Sequence, residues 1–273
     1  MKALVPLLVL AGCTAGGSPT KPATPCGGPD DLCAVEDGQY LALLPDDWDG
    51  TEKLPTFIHF HGYGGTAVAL YEKGSFTDPM GEVRALAIYP DGRNNTWAHT
   101  GSPSSARDEL AFFDAVLADV LDKFPVDRER LIISGFSQGG SMAWDIACFR
   151  GAATGAVFAP VSGSFWEPLP ASCPGGPVRL RHEHGLNDKV IPLEGRPIGS
   201  FQQGDSREAV AMAVRTNGCA GDPRTVEEDG RTCQIWDQCA NGTEVQLCLH
   251  PGDHRVTTGW HRRTLDWATQ ESR

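Results

Sequence analysis

The sequence predicts an α/β protein built on a mostly parallel central sheet with helices on both faces. Two observations carry this expectation. From Gln39 onward, short apolar runs bounded by Gly, Pro or Asp alternate with stretches of helical periodicity. One apolar run, Leu131-Ile132-Ile133-Ser134, leads straight into Gly135-Phe136-Ser137-Gln138-Gly139-Gly140 and then into a helical pattern. Such alternation produces right-handed crossovers, so successive strands lie parallel and the helices between them cover both faces.

Taken in order, strands are predicted at 40–44, 56–60, 86–89, 131–134, 156–161 and 178–182. The clearest helix is 107–124, where Phe113, Val116, Leu117, Val120, Leu121 and Phe124 recur at spacings of three and four. Ser105 and Asp108 are read as the capping box that starts it. Further helices are expected at 139–149, 206–216 and 258–270, and a hairpin joins 232–239 to 244–249 around Asn241-Gly242. There is no internal repeat and no sign of a second domain.

Composition excludes several classes. The 273 residues carry 23 Lys and Arg against 35 Asp and Glu, a net charge of −12, which argues against a nucleic-acid partner. With 40% hydrophobic and 21% charged residues, disordered and fibrous classes do not fit. The length suffices for one large core.

The N-terminus reads as an export signal: Lys2, an apolar run over 3–10, then Leu10-Ala11-Gly12-Cys13. These four residues resemble a bacterial lipobox, which implies cleavage before Cys13, lipidation of that cysteine and retention at a membrane surface; the competing reading is plain secretion. The apolar run is too short for a transmembrane helix. The chain therefore divides into a signal at 1–12, a lipidated Cys13 and flexible linker with a small disulfide loop at 13–37, and a catalytic domain at 38–273.

Cysteine arithmetic supports export independently. Setting Cys13 aside from the nine cysteines leaves an even number, as expected of a disulfide framework. Cys26 and Cys33 are close enough to close a short loop, and Cys148 and Cys173 flank one strand and its loop. A tight turn at Asn241-Gly242 sets Cys233 opposite Cys248, leaving Cys219 to pair with Cys239. A zinc site would favour Cys-x-x-Cys pairs, and the chain has none.

The residues that carry chemistry begin with Ser137. A strand, Gly-x-Ser-x-Gly and a helix in that order form a nucleophile elbow, whose strained turn demands small neighbours at Gly135 and Gly139. At a helix N-terminus the serine also meets the positive end of the helix dipole and free N–H groups. A serine hydroxyl needs a base, and the base needs an orienting acid, in the chain order Ser, Asp, His. Asp188, on a loop after the strand 178–182, is read as the acid, and His254, in His250-Pro251-Gly252-Asp253-His254, as the base. His250 and His261 are the alternatives.

The loop His61-Gly62-Tyr63-Gly64-Gly65-Thr66 is expected to supply the second oxyanion donor, so the backbone N–H groups of Tyr63 and Gln138 form the hole. The pairs His59/His61 and His182/His184 each point to one strand face and could ligate zinc. No accompanying metallohydrolase pattern supports that, so neither a metal nor a cofactor is expected. Asn94-Asn95-Thr96 and Asn241-Gly242-Thr243 match the N-glycosylation pattern but are read as turns.

Together these landmarks resemble the secreted polyhydroxybutyrate depolymerase and feruloyl esterase-like branch of the α/β hydrolases. Those in the match are His61 to Thr66 in the Gly-rich loop, Tyr89-Pro90-Asp91-Gly92 with Thr96-Trp97, Val126-Asp127-Arg128-Glu129-Arg130, the Ser137 elbow, Asp188 with Val190 and Pro192, and Gly252-Asp253-His254. The resemblance implies an α/β-hydrolase fold, a serine carboxylic ester hydrolase with Ser137, Asp188 and His254 as triad, and an acyl pocket lined by Tyr63 and Trp97. Relatives follow the histidine with Trp-Pro, whereas Arg255-Val256 stand here. Solid-polyester depolymerases also carry a polymer-binding domain, for which this length leaves no room. Feruloyl or acetyl esters of plant polysaccharide, or hydroxyalkanoate oligomers, are the expected substrates of a monomer that meets the membrane only through its lipid. Acyl transfer or peptide cleavage on the same triad, and a surface binding protein without turnover, are the rival readings.

Overall fold

A computed structural model describes residues 26–74 and 77–270. The expected signal, Cys13 and the first part of the expected linker lie outside the described residues. The first third holds β1 (Cys33–Val35), β2 (Gly38–Leu43), β3 (Leu54–Phe60), α1 (Ala67–Glu72), α2 (Thr77–Glu82) and β4 (Leu86–Pro90). The middle holds α3 (Glu109–Lys123), β5 (Val126–Phe136), α4 (Gln138–Phe149), β6 (Val157–Val161) and β7 (Leu180–Gly185). A small hairpin, β8 (Pro197–Ile198) and β9 (Phe201–Gln202), precedes α5 (Ser206–Thr216), β10 (Arg224–Glu228), β11 (Arg231–Trp236), β12 (Val245–His250) and α6 (Trp260–Thr269).

One ten-stranded sheet runs in the order β1-β2-β4-β3-β5-β6-β7-β12-β11-β10. Its centre, from β4 to β12, is parallel, and antiparallel strands close both edges. The central strands are buried almost end to end because helices cover both faces. Alternate residues feed two cores. Ile58, Phe60 and Ile133 pack with Phe112, Phe113, Val116 and Trp144; Phe57 and Ile132 pack with Met80, Trp260, Leu265 and Trp267 on the other side.

The order β4-β3-β5 reverses direction at β3, so the loops leaving β3 and β5 part to opposite faces and open a crevice at their carboxyl ends. That crevice receives the 61–66 loop and the Ser137 turn. Gly139 makes the approach possible: a methyl group there would stand 2.0 Å from the Phe60 carbonyl oxygen and 2.6 Å from that of His61. Both obstacles are backbone, so neither can swing aside. Gly139→Ala is expected to destabilise the protein by about 3 kcal/mol, as overpacking of a rigid contact does. Urea unfolding measures it; an unchanged midpoint would show that α4 does not press on β3.

Two local expectations are corrected. Ser105 does not cap α3; the cap is Asp108 itself, whose Oδ1 accepts from the backbone N–H groups of Leu110 at 3.1 Å and Ala111 at 3.0 Å. The link between β11 and β12 is not a tight Asn-Gly turn. Residues 237–244 are drawn out toward the end of α5, where Ala220 N–H donates to Gln238 O, Ala240 N–H donates to Asn217 O, and Cys219 bonds Cys239. The register is nevertheless the one a tight turn would set, with Cys233 opposite Cys248. Disulfides join Cys26–Cys33, Cys148–Cys173, Cys219–Cys239 and Cys233–Cys248, a framework typical of an oxidising compartment. No helix among the described residues is long and apolar enough to cross a membrane.

Candidate active site

Ser137 sits between the end of β5 and the start of α4 with φ 60° and ψ −123°, a conformation rare for a residue with a side chain. Its own N–H is held by the Val161 carbonyl oxygen at 3.0 Å. Gly135 is needed here because a Cβ would fall 2.1 Å from the Gly139 carbonyl oxygen. The turn therefore lifts the hydroxyl off the sheet and aims it at His254, whose Nε2 lies 2.8 Å from Ser137 Oγ.

The imidazole is held from behind. His254 Nδ1 lies 2.6 Å from Asp188 Oδ2, while Asp188 Oδ1 accepts the backbone N–H groups of Val190 at 2.8 Å and Ile191 at 2.9 Å. Burial raises the Asp188 pKa, but the His254 bond and the two backbone bonds outweigh it, and the net shift is downward. An ionised Asp188 keeps the imidazole proton on Nδ1 and leaves Nε2 as the acceptor facing the serine. The structure thus joins Ser137, His254 and Asp188 in one hydrogen-bonded chain across three loops at the carboxyl end of the sheet.

The alternative histidines lie elsewhere. His250 is in β12, with Nδ1 accepting from Gly252 N–H at 3.0 Å. His261 is buried in α6, and burial pushes its pKa down to about 4. His59 Nδ1 pairs with Ser134 Oγ at 2.9 Å, and His182 Nε2 with His184 Nδ1 at 2.9 Å. His184 Nε2 donates to the Ile191 carbonyl oxygen at 2.8 Å and lies 3.5 Å from Asp188 Oδ2, so it braces the Asp188 loop. Burial drives the pKa of His182 and His184 down, keeping this brace uncharged. Among the described residues the one cluster with metal-ligand spacing is Glu228 with Cys233 and Cys248, and those sulfurs are joined in a disulfide.

The 61–66 loop comes close to the serine: a Cβ on Gly62 would stand 3.3 Å from that of Ser137. Gly64 N–H donates to Asn95 O and Gly65 N–H to Gly62 O, which shapes the loop around Tyr63. Gln138 opens α4, where its backbone N–H has no acceptor within the helix. His61 Nε2 accepts from Gly92 N–H at 3.0 Å and its Nδ1 donates to Gly62 O at 2.8 Å, a neutral ring that burial favours. Tyr63 is 80% exposed and borders a cleft of about 730 Å³ with His61, Phe136 and His254.

Trp97 does not line that cleft. It is wholly buried, packed against Phe60 and His61, and its Nε1–H donates to the His61 carbonyl oxygen at 2.8 Å. The correction has a physical cause: the indole needs an acceptor, and the one it finds is the root of the 61–66 loop. Trp97→Phe leaves that buried carbonyl without its partner and is expected to cost about 2 kcal/mol. Thermal unfolding checks this, and a variant as stable as the parent would refute the anchoring role.

Two supports carried no sequence signal. The Gln138 side chain clamps the 96–97 segment, accepting from Thr96 Oγ1 at 3.0 Å and donating to the Trp97 carbonyl oxygen at 3.1 Å. Phe136 packs against the His254 ring with centroids 4.6 Å apart. The arrangement as a whole can activate a hydroxyl, hold an oxyanion and admit a substrate from one side.

Fold and site thus define an α/β hydrolase with a serine elbow. No family model matches the chain. It is 30% identical to feruloyl esterase C of Emericella nidulans over 196 residues, covering 68% of this chain and 69% of the relative. It is 27% identical to feruloyl esterase D of Neurospora crassa over 233 residues, 79% of this chain and 73% of the relative. Among solved structures, acetyl xylan esterase from Aspergillus awamori superimposes with a TM-score of 0.61 at 12% identity, over 85% of this chain and 94% of that one. A ferulic acid esterase gives a TM-score of 0.56 at 16% identity, over 88% and 96%. The chain belongs to the feruloyl esterase family of α/β hydrolases and is a carboxylic ester hydrolase.

Proposed function

We propose that this protein cleaves feruloyl or acetyl esters carried by plant polysaccharide, through an acyl-enzyme formed on Ser137. The observation that carries the reading is the unbroken chain from Ser137 Oγ through His254 to Asp188, opening beside a cleft. The names of the relatives, feruloyl esterase and acetyl xylan esterase, support the substrate class.

In this mechanism His254 Nε2 takes the proton of Ser137 as its oxygen attacks the ester carbonyl. The developing oxyanion is held by the backbone N–H groups of Tyr63 and Gln138, aided by the N-terminal end of α4. Asp188 stabilises the imidazolium, which then protonates the departing alcohol. Water repeats the sequence on the acyl-enzyme and releases the acid. Export with a lipid on Cys13 would place this chemistry at a membrane surface facing the polymer.

The test is hydrolysis of methyl ferulate and of a short aryl acetate by protein starting at Thr14, with Ser137→Ala as blank. Ferulate release by the parent alone supports an aromatic acyl pocket. Acetate release alone moves the substrate to acetylated sugars or short hydroxyacid esters. If neither ester is cleaved, the feruloyl and acetyl ester reading fails.

A further inference from the structure

The cleft beside His254 carries a charge opposite to that of the whole molecule. Acidic residues outnumber basic ones by 35 to 23 in the chain. Yet Lys73, Arg255 and Arg262 line the cleft, against a single acidic lining residue, Glu82. The cations converge from three separate segments: Lys73 caps the end of α1, Arg255 follows His254 directly, and Arg262 lies in the first turn of α6.

Their charges are poorly compensated. Lys73 makes no ion pair among the described residues. Arg262 donates to the backbone carbonyl of Glu82 at 2.9 Å, a neutral acceptor. Arg255 pairs with Asp253 at 3.3 Å, but the two side chains are 60% and 72% exposed, and so open a contact is weak enough for another carboxylate to displace. Gly252 lets the Arg255 guanidinium lie against the turn that leads into His254, because a Cβ there would meet it at 2.4 Å. A concave wall bearing one sign of charge concentrates ligands of the other sign.

We infer that this cleft selects esters that carry a carboxylate, with Lys73, Arg255 and Arg262 as its recognition site. The carboxylate can belong to the alcohol, as a uronosyl group next to the acylated sugar, or to the acyl group, as the free end of a dicarboxylic half-ester. The inference rests on the esterase reading and narrows its substrate. Because the cations stand around the cleft and outside the Ser137–His254–Asp188 chain, they act on capture of the substrate more than on the chemical step.

Two matched pairs of substrates test it with the full mature protein. An aryl succinate half-ester is compared with an aryl butyrate, and an acetylated xylo-oligosaccharide bearing a glucuronosyl branch with the same oligosaccharide lacking it. The charged member of at least one pair is expected to be favoured about tenfold in kcat/KM at low salt, and the pair that shows it identifies the source of the carboxylate. The preference should shrink in about 0.5 M salt, as screening requires. Lys73→Gln combined with Arg255→Gln should bring the charged-to-neutral ratio close to one, with Arg262→Gln as an independent second variant. Equal treatment of both pairs by the parent, or a ratio unmoved in all variants, overturns the inference. Failure to cleave any of the four substrates overturns the esterase reading and this inference with it.

Discussion

Replacing Ser137 by Ala is expected to lower kcat/KM about a million-fold, to the level left by binding and the oxyanion donors alone. The loss is large because nothing near His254 can substitute. Its Nε2 faces Ser137 Oγ at 2.8 Å, and the other buried histidines are committed to structural partners. The fold should tolerate the change, because the serine hydroxyl does not cap α4. The measurement is steady-state hydrolysis of an aryl acetate, with circular dichroism to confirm folding. Turnover within tenfold of the parent would discard Ser137 as the nucleophile.

Asp188→Asn is expected to cost about 10⁴-fold in kcat, and this structure says why. The Oδ1 atom accepts two backbone N–H groups, from Val190 and Ile191. An asparagine must keep its carbonyl oxygen there, which turns its NH₂ toward His254 Nδ1. That nitrogen then has to accept, the ring proton moves to Nε2, and the imidazole can no longer take the serine proton. KM should change far less than kcat, since Asp188 is buried behind the histidine and touches no substrate. A variant with near-parental kcat would show that His254 is oriented by some other group.

Much of this was legible in the chain. The central strands announced themselves because parallel strands covered on both faces are continuously apolar, as in Leu131-Ile132-Ile133. Ser137 was legible because its turn admits only small neighbours, which leaves a fixed mark at Gly135 and Gly139. The elements without such marks were missed. Strand β10, Arg224–Glu228, is polar and half exposed at a sheet edge, and β1 is three residues long. Helices α1 and α2 have six residues each, too few turns to show a period.

Trp97 marks the boundary from the other side. The family resemblance implies that Trp97 lines the acyl pocket, and the indole instead faces inward to the His61 carbonyl. Which way a side chain in an irregular segment turns depends on acceptors supplied by residues distant in sequence, here 36 positions away. The Gln138 side chain is the same case, since its partners Thr96 and Trp97 lie 42 and 41 positions away and become neighbours only when the loops are assembled.

By itself, then, the sequence determined whatever is imposed within a few residues or by a repeating pattern: the α/β class and the strand–elbow–helix at Ser137. Tertiary structure alone decided what depends on loops meeting across the sheet. It set the 2.8 Å and 2.6 Å links of His254 to Ser137 and Asp188, the burial of Trp97, and the gathering of Lys73, Arg255 and Arg262 around one cleft in an acidic protein. Hydrogen-bond direction and electrostatic field depend on distances through space, and only the folded chain defines those distances.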